Sequence, residues 1–250
     1  MNGENIIAVR DLKKRYKGSG EDALKGINLE IASGDFFGLL GPNAAGKSTL
    51  ISILCGILAH TSGEVEVFGQ PIQRNSALFK TRIGLIPQEI ALYPALTVQE
   101  NILYFGHLYG MSGSNLRSRS AECIRLFNLE EHRYKPISKC SGGIKRRVNL
   151  ITGVIHEPRL ILLDEPTLGV DPQLRTLIFD YLTRLNREGA TLIYTTHYMK
   201  EAETLCNRVS IIDHGVILGE GSPDDLINSL PGCQDLGQLF IHLTGRDLRD

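Results

Sequence analysis

Apolar and polar positions change their spacing several times along the chain. A mostly apolar run from Asp35 to Leu40 predicts a buried strand, and residues 160–163 and 191–195 predict two more. Between the last two, apolar residues from Leu174 to Leu185 recur at helical spacing, and Pro172 suits a first helical turn. Strands that alternate with helices predict an α/β fold with a mainly parallel sheet, in which functional residues collect at the carboxyl ends of the strands.

The segments on either side of this core have other patterns. Near the amino end, the short runs IIAV, INLEI and EVEVFG predict a flanking antiparallel β-sheet. From about Thr97 to Lys139 the strand signals cease, and Thr97 with Glu100 matches a capping box at the start of a helix. We therefore expect an α-helical subdomain, about residues 89–150, inserted into the main domain.

The carboxyl-terminal part of the chain predicts a hairpin followed by a tail. After Arg208, the run VSII-DHG-VILGEG has two strand-like halves around a turn. The residues beyond this run are polar and contain glycine. We assign residues 1–222 to one main domain and residues 223–250 to a C-terminal appendage.

Composition and charge narrow the class of protein. The chain of 250 residues is 42% hydrophobic and 22% charged, as in ordinary globular proteins, which excludes disordered and collagen-like chains. Its 27 basic and 28 acidic residues give a net charge of -1, so no overall attraction to nucleic acid or anionic lipid is expected. The 5 cysteines are widely spaced without a CxxC pair, which favours reduced thiols in the cytosol and disfavours a zinc site.

No targeting or membrane-spanning segment is recognisable in the sequence. The first residues, MNGENIIAVRDLKK, lack the apolar stretch of a signal peptide. The longest apolar stretch, Leu50 to Ala59, is shorter than the roughly 20 residues that span a bilayer. We therefore expect the chain to remain in the cytosol and any membrane role to depend on a partner.

A glycine-rich loop separates the first predicted strand from the helix-compatible run TLISILCGIL. Gly41, Gly46, Lys47 and Ser48 satisfy the pattern G-x-x-x-x-G-K-[ST] of a phosphate-binding loop. Glycines let backbone amides face phosphate oxygens, Lys47 can reach the terminal phosphates, and Ser48 can bind magnesium. The alternative is an ordinary glycine turn before a basic residue, which the position between strand and helix disfavours. The loop predicts binding of ATP or GTP through Gly41, Pro42, Asn43, Ala44, Ala45, Gly46, Lys47, Ser48 and Thr49.

Two acids follow the second predicted strand, in the segment LILLDEPT. Asp164 can hold magnesium directly or through water, and Glu165 can polarise an attacking water. Taken alone, the segment is explained equally well as an exposed strand end that begins a turn, since Glu-Pro favours turns. Together with the phosphate loop, the two acids predict nucleotide hydrolysis.

Four motifs, in this order, connect the chain to a family. GPNAAGKST, CSGGIKRR, LILLDEPTLGVDP and TTH ending at His197 together resemble the ABC transporter ATPases over almost the whole chain. The serine-glycine-glycine segment distinguishes this family from other phosphate-loop enzymes, which also have the first and third motifs. Ser141 suits a helix N-cap, and Gly142 and Gly143 leave backbone amides accessible to an anion. Taken alone, these three residues would be better explained as a flexible turn.

The resemblance implies a P-loop NTPase core that works as a head-to-tail dimer and holds two ATP molecules with Mg2+. Ser141, Gly142 and Gly143 of one copy would complete the ATP site of the other copy. Glu165 would be the catalytic base. The ATPase cycle would drive a transmembrane permease, which places the chain at the cytoplasmic face of a membrane.

Four further residues acquire roles from the same resemblance, each with a simpler alternative. Gln88 would sense magnesium and the attacking water, or be a solvated loop glutamine. His197 would contact the terminal phosphate, or be structural. Asp171 would belong to the loop that connects the two ATP sites, or start a helix. Tyr16 would stack on adenine, or pack as a strand tyrosine. The implied catalytic set is Glu165, His197, Gln88 and Lys47, and the implied metal ligands are Ser48, Asp164 and Gln88.

The motifs depart from the usual family pattern at three positions. Ala44 stands where the family usually has glycine, so the loop would be strained if this residue adopts a positive φ. Cys140 and Ile144 replace a usual leucine and a usual glutamine, which disfavours importers. With ALYPALTVQENILYFGHLYG, the segment SGGIKRR looks most like the subunits of exporters for drugs, antibiotics and polysaccharides.

Two competing functions are also consistent with the motifs. A soluble ABC ATPase without a membrane partner could act on ribosomes or nucleic acid, but the neutral net charge disfavours it and no nucleic-acid partner is expected. A regulatory protein could hold ATP without turnover, which the intact Glu165 and His197 disfavour. The apolar and aromatic residues Tyr93, Leu96, Tyr104 and Phe105 could form a docking patch for a permease, although packing inside the helical insert is the favoured interpretation.

Overall fold

The structure, a computed structural model, describes residues 4–72 and 81–245 of the chain. The chain divides into two compact units, which we describe separately. The first unit comprises Met1–Ser76 and Leu185–Asp250, and the second unit comprises Ala77–Arg184. Among the described residues, no helix has both the length and the apolar character needed to cross a membrane.

Strands and helices alternate over much of the described chain. The strands are β1 (Asn5–Arg15), β2 (Asp22–Ala32), β3 (Phe36–Leu40), β4 (Ser62–Val67), β5 (Gln70–Pro71), β6 (Ile83–Ile86), β7 (Leu160–Asp164), β8 (Thr191–Thr196), β9 (Arg208–Asp213) and β10 (Val216–Gly221). The α-helices are α1 (Lys47–Leu54), α2 (Val98–Leu108), α3 (Gly113–Leu126), α4 (Gly142–Val154), α5 (Pro172–Arg187), α6 (Met199–Leu205), α7 (Pro223–Asn228) and α8 (Leu236–Thr244). The predicted mixed α/β fold is confirmed.

The first unit contains the antiparallel sheet predicted near the amino end. Its strands lie in the order β2-β1-β4-β5, and Ile7 of β1 pairs with Ile31 on one side and Val67 on the other. These three side chains are fully buried. Alternating burial along β1 and β2 therefore gives the sheet one apolar face.

A second group of strands in the first unit is mainly parallel. β3 lies between β8 and β9 and is parallel to both, and β9 forms an antiparallel hairpin with β10, as the sequence predicts. All five residues of β3 are buried. Leu40 at the end of β3 pairs with Thr196 at the end of β8. The segments that follow these two strands therefore start side by side.

The helix after the phosphate loop is shorter than its apolar sequence suggests. The run TLISILCGIL is helix-compatible throughout, yet α1 ends at Leu54 and Cys55 forms its C-cap. Gly56 adopts a left-handed φ of 69°. Glycine takes up this conformation readily, which ends the helix within the apolar run.

The second unit combines a parallel strand pair with packed helices. β6 and β7 are parallel, and α2 packs against α3 and α4. The predicted capping box is present, since Glu100 N donates to Thr97 Oγ1 at 3.2 Å and Thr97 N donates to Glu100 Oε2 at 2.8 Å. Helices α2, α3 and α4 fall within or just beyond the predicted insert, residues 89–150, whose exact bounds stay a prediction.

Helix α4 lies very close to strand β6. A Cβ added to Gly84 of β6 would overlap the carbonyl oxygen of Gly153 of α4, and a Cβ added to Gly153 would lie 2.7 Å from the carbonyl oxygen of Leu85. Both positions therefore require glycine. This backbone contact fixes the distance between α4 and β6.

The predicted C-terminal appendage contains α7 and α8, and its last residues, 246–250, lie outside the described part of the chain. α8 packs against α6 through its buried residues Leu236, Leu239 and Phe240. Leu236 N also donates to Glu203 Oε1 at 2.8 Å. The appendage thus packs on the rest of the first unit through an apolar helix face.

Candidate functional site

The phosphate loop connects the end of β3 to the start of α1. Gly41 must be glycine, because a Cβ at this position would overlap the carbonyl oxygen of Ile212. Ala44 and Gly46 have positive φ values of 65° and 113°. Ala44 therefore adopts the conformation that makes it strained relative to the glycine usual at this position.

Lys47 is buried in the loop that it follows. Its side chain is 5% exposed, and Nζ donates to the carbonyl oxygens of Gly41 at 2.8 Å and Pro42 at 3.0 Å. Asn43 and Ser48 are exposed, whereas Ala45 is buried. The positive end of α1 and the Lys47 ammonium group thus point to the same loop, an arrangement suited to phosphate.

His197 directly follows strand β8 and lies beside the phosphate loop in the first unit. Gly41 N donates to the carbonyl oxygen of Thr196 at 3.4 Å, which links the loop to the residue before His197. The His197 ring lies 4.1 Å from the ring of Tyr198. The structure therefore brings His197 and the phosphate loop together, as expected from their positions after β8 and β3.

Tyr16 lies just beyond the end of β1 and remains 44% exposed. Its hydroxyl group is 3.1 Å from Thr49 Oγ1, and the Lys14 ammonium group lies 5.2 Å from its ring centre. This environment differs from that of a packed strand tyrosine. An exposed ring tied to the first turn of α1 is available for stacking.

The second unit carries the acidic strand end. Because β6 and β7 are parallel with Ile86 opposite Leu163, the segments that contain Gln88 and Glu165 leave the same edge. Asp164 and Glu165 are 8% and 6% exposed. Gln88 is exposed.

Glu165 has a strained backbone. Its φ is 47°, in the left-handed region that non-glycine residues rarely occupy. Its carbonyl oxygen accepts a hydrogen bond from Leu168 N at 3.2 Å. The residue therefore begins a tight turn directly after β7.

A residue that the sequence did not single out connects Glu165 to Gln88. Arg146 of α4 is 6% exposed, and it donates from Nη2 to the carbonyl oxygen of Glu165 at 2.7 Å and from Nη1 to that of Gln88 at 2.8 Å. Asn149, one turn later, donates to the carbonyl oxygen of Pro87 at 3.3 Å. The basic run in CSGGIKRR was a signal, but it did not reveal which arginine points inward.

The serine-glycine-glycine segment lies at the exposed start of α4. Ser141 occupies the N-cap position with an extended backbone, as predicted, but its hydroxyl group makes no capping hydrogen bond within the described first turn. A Cβ at Gly142 would have open space around it. The backbone here is accessible to an anion.

Asp171 starts α5. Its Oδ1 accepts a hydrogen bond from Leu174 N at 2.9 Å, so the helix-start reading of the sequence is correct. The residue is also exposed. Its expected role between two ATP sites stays a prediction.

Two of the buried cysteines are poor nucleophiles. All 5 cysteines lie in the described residues and are thiols without a disulfide bond. Burial raises the pKa of Cys123 to about 11, and burial also raises the pKa of Cys206 far above its usual range. Since the thiolate is the reactive form, these two side chains stay inert near neutral pH.

Comparison with known proteins identifies relatives over most of the chain. A family model described as ABC transporter matches residues 24–168. The linearmycin resistance ATP-binding protein LnrL of Bacillus subtilis (strain 168) is 43% identical over 91% of this chain and 72% of that protein. The Nod factor export ATP-binding protein I of Paraburkholderia xenovorans (strain LB400) is 40% identical over 95% of this chain and 77% of that protein.

Solved structures have the same fold. An ATP-binding subunit of an ABC transporter superimposes with a TM-score of 0.87 at 27% identity, covering 96% of this chain and 99% of that one. A dimeric, post-hydrolysis structure of the ATP-binding cassette MJ0796 with ADP and phosphate gives a TM-score of 0.79 at 29% identity, covering 86% and 98%. With its phosphate loop and acidic strand end in the expected order, the chain belongs to the ABC transporter family, as one of its ATP-binding ATPase subunits.

Proposed function

We propose that this subunit pairs head to tail with a second copy, hydrolyses ATP at sites shared between the copies, and drives a partner permease in an exporter. The observation that carries the proposal is the placement of Glu165. This acid is buried, directly follows Asp164 at the end of β7, and has its backbone held by hydrogen bonds. A carboxylate held in this way suits a base that positions water for attack on a phosphate.

The phosphates are assigned to the loop of the first unit. Lys47 and the amides of residues 41–49 neutralise the charge that spreads over the terminal phosphate during transfer. Tyr16 is assigned to the adenine ring, because it is exposed and tied to Thr49. His197 is assigned to the terminal phosphate, where it helps Glu165 to orient the attacking water.

The residues that the family resemblance implies as Mg2+ ligands each carry a donor atom that suits this ion. Ser48, Asp164 and Gln88 offer a hydroxyl, a carboxylate and an amide oxygen, which are the ligands that Mg2+ accepts. Within residues 4–72 and 81–245, no group of three or more His, Cys, Asp or Glu side chains could hold a metal ion. Mg2+ usually takes few protein ligands and shares the phosphates of its substrate. Bound there, the ion would neutralise phosphate charge.

The second copy is assigned to the exposed start of α4. Ser141, Gly142 and Gly143 present backbone amides at a helix start without a capping side chain, and they would contact the triphosphate held by the other copy. Asp171 is exposed at the start of α5 and would lie where the two copies meet. Hydrolysis would then reopen the pair.

A membrane partner is favoured over ribosomes or nucleic acid. Two relatives are named for linearmycin resistance and for Nod factor export. Tyr93 and Tyr104 of the helical insert are 46% and 38% exposed although they contact each other with ring centres 4.7 Å apart. They would contribute to a permease contact at the cytoplasmic face of the membrane.

Glu165→Gln tests the catalytic assignment. We expect ATP turnover to fall by about 100-fold or more while ATP binding persists, because only the base is lost. Glu157→Gln is the matched control, since Glu157 also has a left-handed φ, of 54°, but is exposed and pairs with Arg119. Turnover of Glu165→Gln at the parental rate would contradict the assignment.

The pairing and the partner are tested separately. Sedimentation of Glu165→Gln with ATP and Mg2+ should reveal a dimer, and Ser141→Arg in the same background should prevent it. Recovery of the chain from detergent-solubilised membranes should bring down a multi-span protein. Ribosomes or nucleic acid in its place would overturn the permease proposal.

A further inference from the structure

One buried guanidinium group holds two segments of the proposed catalytic site. Arg146 donates to the carbonyl oxygens of Glu165 at 2.7 Å and Gln88 at 2.8 Å. It also donates to the carbonyl oxygen of Pro87, the residue before Gln88, at 3.4 Å. The planar fork of arginine can serve two acceptors at once, which the ammonium group of lysine does less well. Hydrogen bonds from a charged donor are among the stronger ones in proteins.

The bond to Glu165 acts on a strained residue. A non-glycine residue in the left-handed region costs about 1–2 kcal/mol, so it persists only where its surroundings hold it. The carbonyl oxygen of Glu165 accepts from both Arg146 Nη2 and Leu168 N. These two donors fix the orientation of the peptide group that follows Glu165, and thus the direction in which the carboxylate leaves the backbone.

The same arginine belongs to the helix that starts at Ser141. α4 runs from Gly142 to Val154, and its glycine contact with β6 prevents it from settling closer to the strand. Asn149 adds a second link, because its side chain accepts from Ala91 N at 3.0 Å and donates to Pro87 O. A shift of α4 along its axis would therefore pull on the backbone of Glu165 and Gln88.

We propose that Arg146 is a positioning residue, which sets the orientation of Glu165 and Gln88 and ties it to the position of the helix that starts at Ser141. The inference rests on the proposed function, since it takes Glu165 as the catalytic base. In this proposal Arg146 acts on the backbone of these residues and not on the substrate. A nucleotide that binds at the amino end of α4 would in this way affect the position of the proposed base, Glu165.

The test compares Arg146→Lys and Arg146→Met with the same changes at Arg119. Arg119 is a buried arginine of α3 in the same unit, 9% exposed, which bonds Glu122 and Glu157 and makes no bond to Glu165 or Gln88. We expect Arg146→Met to lower kcat about 10–100-fold with little change of KM for ATP, as for a misplaced catalytic group, and Arg146→Lys to lower kcat less. The Arg119 variants should lower Tm but keep kcat.

A second measurement does not depend on turnover. Amide hydrogen exchange of a peptide that covers residues 164–170 should become faster in Arg146→Lys and stay unchanged in Arg119→Lys. If Arg146→Met does not fold, the lysine variant still carries both measurements. Parental exchange in Arg146→Lys, or an equal loss of kcat in the Arg119 variants, would overturn the positioning role. Absence of ATP turnover in the unsubstituted chain would instead refute the proposed function.

Discussion

Inside the phosphate loop, side-chain hydrogen bonds join residues that are close in sequence, whereas the acidic end of β7 is bonded by a side chain from another helix. In the loop, Lys47 donates to the carbonyl oxygens of Gly41 and Pro42, and Ala45 N also donates to Pro42 O. At the strand end, Arg146 reaches Glu165 from α4. The side-chain bonds within the loop are thus local, although Gly41 N also donates to Thr196 O and Gly215 N donates to Ala45 O. The proposed base, Glu165, depends on correct packing of a distant segment.

Both regions contain a non-glycine residue in the left-handed conformation. These residues are Ala44 with a φ of 65° and Glu165 with a φ of 47°. In the loop, glycine can relieve the strain because no side chain is needed there. At the strand end the proposed base needs its carboxylate, so the strain must be offset by bonds from elsewhere.

The largest expected effect follows from a change inside the loop. Gly46→Ala places a Cβ 2.8 Å from Leu24 Cδ2 and 3.0 Å from the carbonyl oxygen of Ala23, on a residue with a φ of 113°. We expect a loss of about 2–4 kcal/mol in the free energy of unfolding, together with weaker ATP binding. Urea unfolding and equilibrium nucleotide binding measure the two effects.

Gly34→Ala separates strain from steric overlap. Gly34 has a φ of 87°, but a Cβ there would meet no atom within 4 Å. This control should cost only about 1 kcal/mol and leave ATP binding unchanged. An equal cost for both variants would mean that the close packing of the loop is not what makes Gly46 necessary.

An acid-dependent effect is expected near the strand pair of the second unit. Burial lowers the pKa of His156 to about 4 from its usual 6.5. Its ring stacks on Tyr109 at 3.6 Å, and its Nε2 donates to the carbonyl oxygen of Ile83, at the start of β6, at 3.1 Å. The folded state thus disfavours protonation of this ring.

The sign of this pH dependence follows from the lowered pKa. The stability contribution is complete above about pH 6.5 and is lost as the pH falls toward 4, by about 1–3 kcal/mol when partial exposure is taken into account. Urea unfolding between pH 7.5 and pH 4 measures the loss. His156→Gln should unfold with a weaker dependence on pH in this range, and an unchanged dependence would exclude His156 as the cause.

The smallest expected effect is a gain in stability. Ala44→Gly removes the strain at a φ of 65°, and we expect an increase of about 0.5–1 kcal/mol in the free energy of unfolding. ATP binding should be unchanged or slightly stronger. A decrease in stability would show that Ala44 makes packing contacts that outweigh its strain.

Much of the fold followed from local patterns. The capping box at Thr97 and the hairpin after Arg208 are confirmed, because each depends on residues close together in sequence. The end of α1 was less predictable. Its apolar run continues past Leu54. Gly56, which ends the helix, could also have stood inside a longer helix.

The sequence by itself determined the phosphate loop and the order of motifs, since these depend on residue types at fixed short spacings. Only the tertiary structure decided that Arg146, and not its neighbour Arg147, reaches Glu165. Arg147 bonds the carbonyl oxygen of Phe127 at 2.9 Å instead. Adjacent residues on a helix point in different directions. The packing of α4 on β6 determines which of the two arginines points toward the strand ends. That selection depends on packing between distant segments, which no local pattern encodes.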